Sequence, residues 1–316
     1  MSRAAAMDPE ASLSIRAAWL HYVGGLTQAA VAKRLGVTSV KAHRLIARAV
    51  AEGAVKVTID GDIVDCVRLE AKIAARFGLD YCEVAPDLDE QGLPIRTLGM
   101  AGAGFLRREI ERGEHAVIGL GHGRTLAAMV QHLPRLDAPD LSFVSLLGGL
   151  TRNYSANPHD VMHRIAEKTG ARAIVMPVPF FANTAEDREV LLSQRGVAEV
   201  FGLANGAGLQ IVGIGTVEPD AQLVASGMIE PKEIKGIQAS GGVGELLGYF
   251  FDAQGRSLQT TLTERTLSVD LPENGGGNLV AIAGGPDKVA AIRAVLHSRR
   301  LRGLITDERT AMSLLA

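Results

Sequence analysis

Residues 117–133 read VIGLGHGRTLAAMVQHL: an apolar strand, a glycine loop and an amphipathic helix in direct succession. Val117-Ile118 runs into Gly119, Gly121 and Gly123, and Thr125 to Leu133 carries helical periodicity. The same order recurs along the chain. Phe143 to Leu147, Ala173 to Met176, Leu209 to Ile214, Leu279 to Ala283 and Gly303 to Ile305 read as further buried strands. Helices are expected at Pro158 to Thr169, Asp187 to Leu192 and Lys288 to Arg300. Repeated βα order with uninterrupted apolar strands predicts a doubly wound, mainly parallel α/β sheet covered on both faces.

Glycines cluster where these strands end: Gly119 to Thr125, Gly148-Gly149, Gly213-Ile-Gly215 and Gly284-Gly285. The carboxyl ends of parallel strands form the ligand crevice, and helix starts there offer backbone N–H groups to anionic or hydroxylated ligands. Four such loops at one edge favour a ligand site over simple turns. Gly119, Gly121 and Gly123 lack the G-x-G-x-x-G spacing, and Gly99, Gly102 and Gly104 follow no strand, so a dinucleotide is disfavoured and no cofactor is expected.

The N-terminal segment has another character. Residues 1–60 hold eight basic side chains (Arg3, Arg16, Lys33, Arg34, Lys41, Arg44, Arg48, Lys56) and four acids (Asp8, Glu10, Glu52, Asp60), within a chain of net charge −2. No Asp or Glu lies between Ala11 and Ala51, which suits a phosphate backbone. Leu13 to Tyr22 reads as a first helix ended by Gly24-Gly25. Thr27 then caps Gln28 to Leu35, Gly36 turns the chain, and Thr38 or Ser39 caps a third helix to about Glu52. Ala32, Gly36, Ala42 and Leu45 have the spacing of a helix-turn-helix. In that reading Ser39, Lys41, His43 and Arg44 face base edges, while Thr27, Gln28 and Thr38 fix phosphates. Arg48 reads as touching DNA backbone or solvent. Val55 to Ile59 alternates like a short strand, a candidate wing, and Asp65 to Phe77 reads as a helix after the unit.

Length agrees with two unequal domains, 1–60 with the helix-turn-helix and 61–316 with the ligand crevice. No apolar run reaches the ~20 residues of a membrane helix, and the first ten residues lack a secretory apolar stretch. Only Cys66 and Cys82 occur, so a reduced, cytoplasmic protein is expected.

Several stretches in order are similar to the SorC family of sugar-binding transcriptional regulators: GLTQAAVAKRLGVTS (25–39), IGLGHGRTL (118–126), LLGGLTRN (146–153), VGIGT (212–216), FFDAQGR (250–256), LTERT (262–266), AIAGGPDKVAAIRAVL (281–296) and LITDE (304–308). The resemblance covers roughly residues 12–316. It implies an effector domain folded like sugar-phosphate isomerases and glucosamine-phosphate deaminases, assembly as a homotetramer, and release or retention of operator DNA on binding a sugar, sugar phosphate or polyol. It also implies site residues. Gly119, Gly121, His122, Gly123, Arg124 and Thr125 match the ligand-cradling loop, and Gly148 and Gly149 a second loop. Asp252 matches an acid near ligand hydroxyls, Arg265 a basic pocket position, and Gly284 and Lys288 the double-glycine segment. The chain departs from many relatives in having Gly121-His122 in place of Ser-Trp, Ser39 at an often basic position, and Lys41 and His43 in place of smaller hydroxyl residues.

Other constellations read blandly. His159 and His163 are one helical turn apart, but Asp160 replaces the Glu a zincin needs, so no metal is expected. No G-x-S-x-G and no Cys–His pair stands out, and no catalytic residue is assigned. Arg188 suits either the pocket or a solvated helix position. The leading expectation is an effector-controlled transcription regulator. The alternatives are an isomerase- or deaminase-like enzyme with an extra N-terminal domain and a dinucleotide-binding redox sensor.

Overall fold

Two threonines and a left-handed glycine organise the N-terminal unit of the computed structural model, which describes residues 9–55, 64–149, 161–271 and 277–316. Helix α1 (Pro9–Tyr22) precedes α2 (Gln28–Leu35), whose first turn is capped by Thr27 Oγ1 accepting from Ala30 N at 3.3 Å. Gly36, at φ +67°, ends α2, and Thr38 Oγ1 accepts from Lys41 N at 3.2 Å to start α3 (Ser39–Ala51). Thr38, not Ser39, is the cap. Ala17, Leu20, Val31, Ala32, Ala42, Leu45 and Ile46 form the small core of these helices. The expected strand Val55 to Ile59 lies, past Val55, outside the described residues.

The chain divides into two compact units, Met1–Asp62 and Ile63–Ala316. The larger one runs α4 (Val64–Phe77), β1 (Tyr81–Ala85), α5 (Ile95–Arg112), β2 (Val117–Leu120), α6 (Arg124–His132), β3 (Ser142–Ser145), α7 (Met162–Thr169), β4 (Arg172–Ile174), α8 (Ala185–Ser193), α9 (Arg195–Asn205) and β5 (Leu209–Val212). It continues with β6 (Gly215–Thr216), α10 (Gln222–Ala225), α11 (Pro231–Ala239), β7 (Gly242–Leu246), β8 (Tyr249–Asp252), β9 (Ser257–Leu258), β10 (Leu279–Ile282), α12 (Val289–His297), β11 (Gly303–Asp307) and α13 (Glu308–Leu315).

Seven strands form one parallel sheet in the order β1-β11-β10-β5-β2-β3-β4. Its faces are covered by two apolar clusters. One gathers Leu98, Leu106, Leu126, Met129 and Phe143; the other gathers Val144, Phe180, Ile214, Phe250 and Ile292. After β2 the chain adds β3 and β4 on one side and then returns to place β5 on the other. Strand order therefore reverses between β2 and β5, and a crevice opens at that point.

Two features depart from the sequence expectation. Strands β6 to β9 form a separate antiparallel sheet. Its central hairpin turns on Leu247-Gly248, both at positive φ (51° and 82°), and leucine there carries no turn signal. The second is α5, a helix that the sequence left unassigned and that carries Gly99, Gly102 and Gly104. A Cβ at Gly99 would crowd Ala128 and His132, and one at Gly102 would meet Met129 and Ile282. These glycines let α5 and α6 pack closely.

Candidate functional site

A cleft lies over the carboxyl ends of β2 and β5, where the strand order reverses. Its narrow inner pocket is built from the 121–126 segment on one side and Gly213 to Thr216 on the other. Leu147, Phe180, Leu223 and Leu247 supply apolar walls, and Gln222, Glu245 and Lys288 polar ones. The inner volume is about 70 Å³, room for a handful of waters. It adjoins a wider vestibule of about 680 Å³ lined by Arg124, Glu218, Asp220, Gly284, Gly285 and Asp287.

Each polar group has a local cause. Helix α6 starts after Gly123 (φ +124°) without a side-chain cap, so N–H groups of its first turn remain available beside buried Thr125. His122 meets the Phe180 ring edge-on at 5.4 Å. Lys288 donates to the Ile214 carbonyl at 2.6 Å, and Glu245 accepts from Gly248 N at 2.6 Å. Gly215 makes room for the Glu245 carboxylate, which a Cβ at that position would strike. Burial pushes the Glu245 carboxyl up to about 7, against the opposing pull of the Gly248 N–H and of Lys288. Burial, and then the Arg124 charge, bring the Lys288 ammonium down to about 8, with Glu245 pulling the other way. The pocket thus presents a strong acceptor, a strong donor and free backbone N–H groups within an apolar frame, a set suited to several hydroxyls.

Of the positions singled out in the sequence, Gly121, His122, Gly123, Arg124, Thr125 and Lys288 converge on the inner pocket, and Gly284 on the vestibule. Five others, Gly119, Gly148, Gly149, Asp252 and Arg265, serve packing, ion pairs or the backbone. Gly119 is inside β2, where a Cβ would strike Leu146. Gly148 abuts the Pro179 carbonyl and donates to Leu267 O at 2.9 Å, and Gly149 donates to Met176 O at 3.4 Å. Asp252 closes the turn after β8, accepting from Gln254 N, Arg256 N and Arg256 Nε at 3.0, 2.9 and 2.6 Å. Arg265 pairs with Glu233 at 2.6 Å and donates to the carbonyls of Thr261, Ala182 and Asn183, in a pocket of its own beside Phe181 and Met228. Arg188 donates to Thr266 O at 2.7 Å and is absent from the cleft walls. Asp252 is therefore held away from the cleft by bonds that complete its own turn, and Arg265 by its pairing with Glu233 on α11 and with the carbonyls of Ala182 and Asn183. Glu245 escaped the sequence reading, although a lone acid in the apolar run 242–251 was its signal.

In the smaller unit Thr27, Gln28, Thr38, Ser39, Lys41, His43 and Arg44 are all exposed. His43 Nδ1 lies 3.2 Å from Gln28 Oε1, joining α3 to α2. Arg48 turns instead to Glu10 and Glu52, at 3.3 and 2.7 Å. His159 and Asp160 fall outside the described residues. Among the described ones there is no group of three potential metal ligands, and no helix is long and apolar enough to cross a membrane.

An α/β sheet with a cleft at its carboxyl edge, carried in one chain with a small helical unit, is a build shared with known transcriptional regulators. The family model described as "Putative sugar-binding domain" matches residues 61–316, and the chain belongs to this SorC family of transcriptional regulators. It is 66% identical over 308 residues to the erythritol catabolism regulatory protein EryD of Brucella abortus (strain 2308), with 98% of each chain covered. It is 32% identical over 313 residues to the transcriptional regulator LsrR of Klebsiella pneumoniae subsp. pneumoniae, covering 97% of this chain and 94% of the relative. The full-length sorbitol operon regulator SorC from Klebsiella pneumoniae superposes with a TM-score of 0.69 at 25% identity, covering 98% and 100% of the two chains. These relatives are named as regulators, and this chain is a transcriptional regulator rather than an enzyme.

Proposed function

We propose that this regulator governs a polyol catabolic operon and that its effector is a small neutral polyol of the erythritol type. Residues 1–60 act as a helix-turn-helix that reads operator DNA; residues 61–316 bind the effector and assemble the chain into a cytoplasmic homotetramer. The observation that carries the effector assignment is Glu245 at the wall of the inner pocket. A carboxyl there exchanges hydrogen bonds with ligand hydroxyls, and in its ionised form it opposes a phosphate seated at the same point. Lys288 and the uncapped start of α6 supply the complementary donors. The name of the Brucella relative, 66% identical, points to the same four-carbon polyol.

DNA reading is supported by the capped α2–Gly36–α3 arrangement and by the exposed, acid-free row Ser39, Lys41, His43 and Arg44. A phosphorylated polyol is the second reading, favoured by Arg124 and Lys288 side by side where pocket and vestibule meet. A thermal-shift panel of free tetritols, pentitols, hexoses and their phosphates separates the two. Erythritol is expected to stabilise the full-length protein and to alter its gel shift on DNA upstream of the operon. Stabilisation by phosphates alone transfers the assignment to the second reading, and no response to any compound overturns both.

A further inference from the structure

Helix α3 buries Ala42, Leu45, Ile46 and Ala49, and these four fix which side faces outward. The opposite side is centred on Val40, His43, Arg44 and Ala47, all exposed and spaced i, i+3, i+4, i+7. Val40 is 72% exposed, so the middle of this face is apolar, with His43 and Arg44 as its polar flanks. His43 is tied in place. Its Nδ1 lies 3.2 Å from Oε1 of Gln28, the first residue of α2. An amide oxygen only accepts, so the shared proton sits on Nδ1, and Nε2 of the neutral ring is an acceptor. The same bond engages the Gln28 oxygen and leaves its amide nitrogen as a donor at the exposed start of α2. A helix start with its backbone N–H groups and an amide donor suits a DNA phosphate.

We propose that His43 is a specificity-determining residue that takes the exocyclic amino group of an adenine or a cytosine in the major groove, and that Gln28 positions it. This rests on the DNA-binding reading above and names the base chemistry of one contact within it. Lys41 and Arg44 can only donate, so they recognise base edges that accept, guanine O6 and N7 foremost. Nε2 of His43 supplies the opposite polarity beside them. In the major groove the only base donors are adenine N6–H and cytosine N4–H, so an acceptor held there separates these two bases from guanine and thymine. A hydroxyl at position 43 would both donate and accept, and could not make that choice. Gln28 acts at both ends of the contact. Its oxygen fixes the tautomer and the plane of the ring, and its amide nitrogen ties that plane to the DNA backbone.

The test is selection by the full-length protein from duplexes with a randomised core, followed by affinity measurements on the selected sequence. The unaltered protein should demand adenine or cytosine at one position of each half-site. His43→Ala should lose that preference alone, keeping the preferences at other positions and the melting temperature. Gln28→Leu should relax the same position. Gln28→Glu keeps an oxygen for Nδ1, so it should retain the preference while binding every sequence more weakly. Replacing the selected adenine by purine, or the selected cytosine by pyrimidin-2-one, deletes the amino group alone and tells the two bases apart. That deletion should cost the unaltered protein about tenfold, one hydrogen bond's worth, and cost His43→Ala nothing further. An unchanged profile in His43→Ala, a His43-dependent choice of guanine or thymine, or an equal loss in both proteins on deleting the amino group overturns the proposal. An unchanged profile in Gln28→Leu removes the positioning role. Failure of the unaltered protein to enrich any sequence overturns the DNA-binding reading itself, and this inference with it.

Discussion

Glu245 and Lys288 couple the cleft to pH in opposite directions. Glu245 has a folded pKa near 7, above its ordinary 4.5. Its protonated form therefore favours the folded state fully below about 4.5, and that contribution is lost as pH rises towards 7. The loss approaches about 3 kcal/mol at roughly 1.4 kcal/mol per unit. Lys288 has a folded pKa near 8, below its ordinary 10.5, so between these values the unfolded chain holds the extra proton and stability rises with pH. Urea titrations across pH 4 to 10 should show both limbs, the first abolished by Glu245→Gln and the second by Lys288→Met. For binding, Glu245→Ala is expected to weaken the polyol at least tenfold, the loss of about one charge-assisted hydrogen bond. Asp252→Asn should leave effector affinity unchanged, because that carboxylate serves Gln254 and Arg256. Calorimetry checks both. Of these residues, Lys288 was legible beside its double glycine; Glu245 was not, because its role depends on β7 passing Gly215.

Helix α3 depends on one cap and presents one row of side chains. Thr38→Ala removes the acceptor for Lys41 N and should cost about 1 kcal/mol in the N-terminal unit, visible in hydrogen exchange of α3. Lys41→Ala with Arg44→Ala touches no buried contact, since both are exposed, and should abolish a specific gel shift without altering the effector's thermal shift. Unchanged operator affinity in that variant at physiological salt would remove α3 from the interface. In the wild type, affinity should fall steeply with salt as phosphate counterions are displaced. The elements themselves show which local signals suffice. Helices α2 and α3 were readable because Thr27, Gly36 and Thr38 announce their ends. Helix α5 was hidden, because its glycines answer to α6 and Ile282, which are distant in sequence. The hairpin of β7 and β8 was hidden too, since Leu247 at positive φ is held by its surroundings and not by its own preference.

For the whole molecule the proposed tetramer gives a direct expectation. Sedimentation of the full-length chain at micromolar concentration should show a species of four chains, and a stable monomer with or without DNA would contradict it. Erythritol should change how much of that species DNA retains, the response by which an effector-controlled regulator works.

The sequence by itself determined the alternation of apolar strands and helices, the parallel sheet, the glycine loops at its carboxyl edge and the acid-free basic segment before it. These are local or periodic properties, carried by side-chain spacing and by residues that cap or turn the chain. Strand order was decided only in the tertiary structure, and with it which loops meet. The reversal between β2 and β5 joins residues 121–126 to 213–216, and the antiparallel sheet brings Glu245 against them. The same packing kept Asp252 at its own turn and Arg265 against Glu233 of α11. Adjacency across a sheet is set by how whole elements bury their apolar faces together, and no spacing along the chain records it.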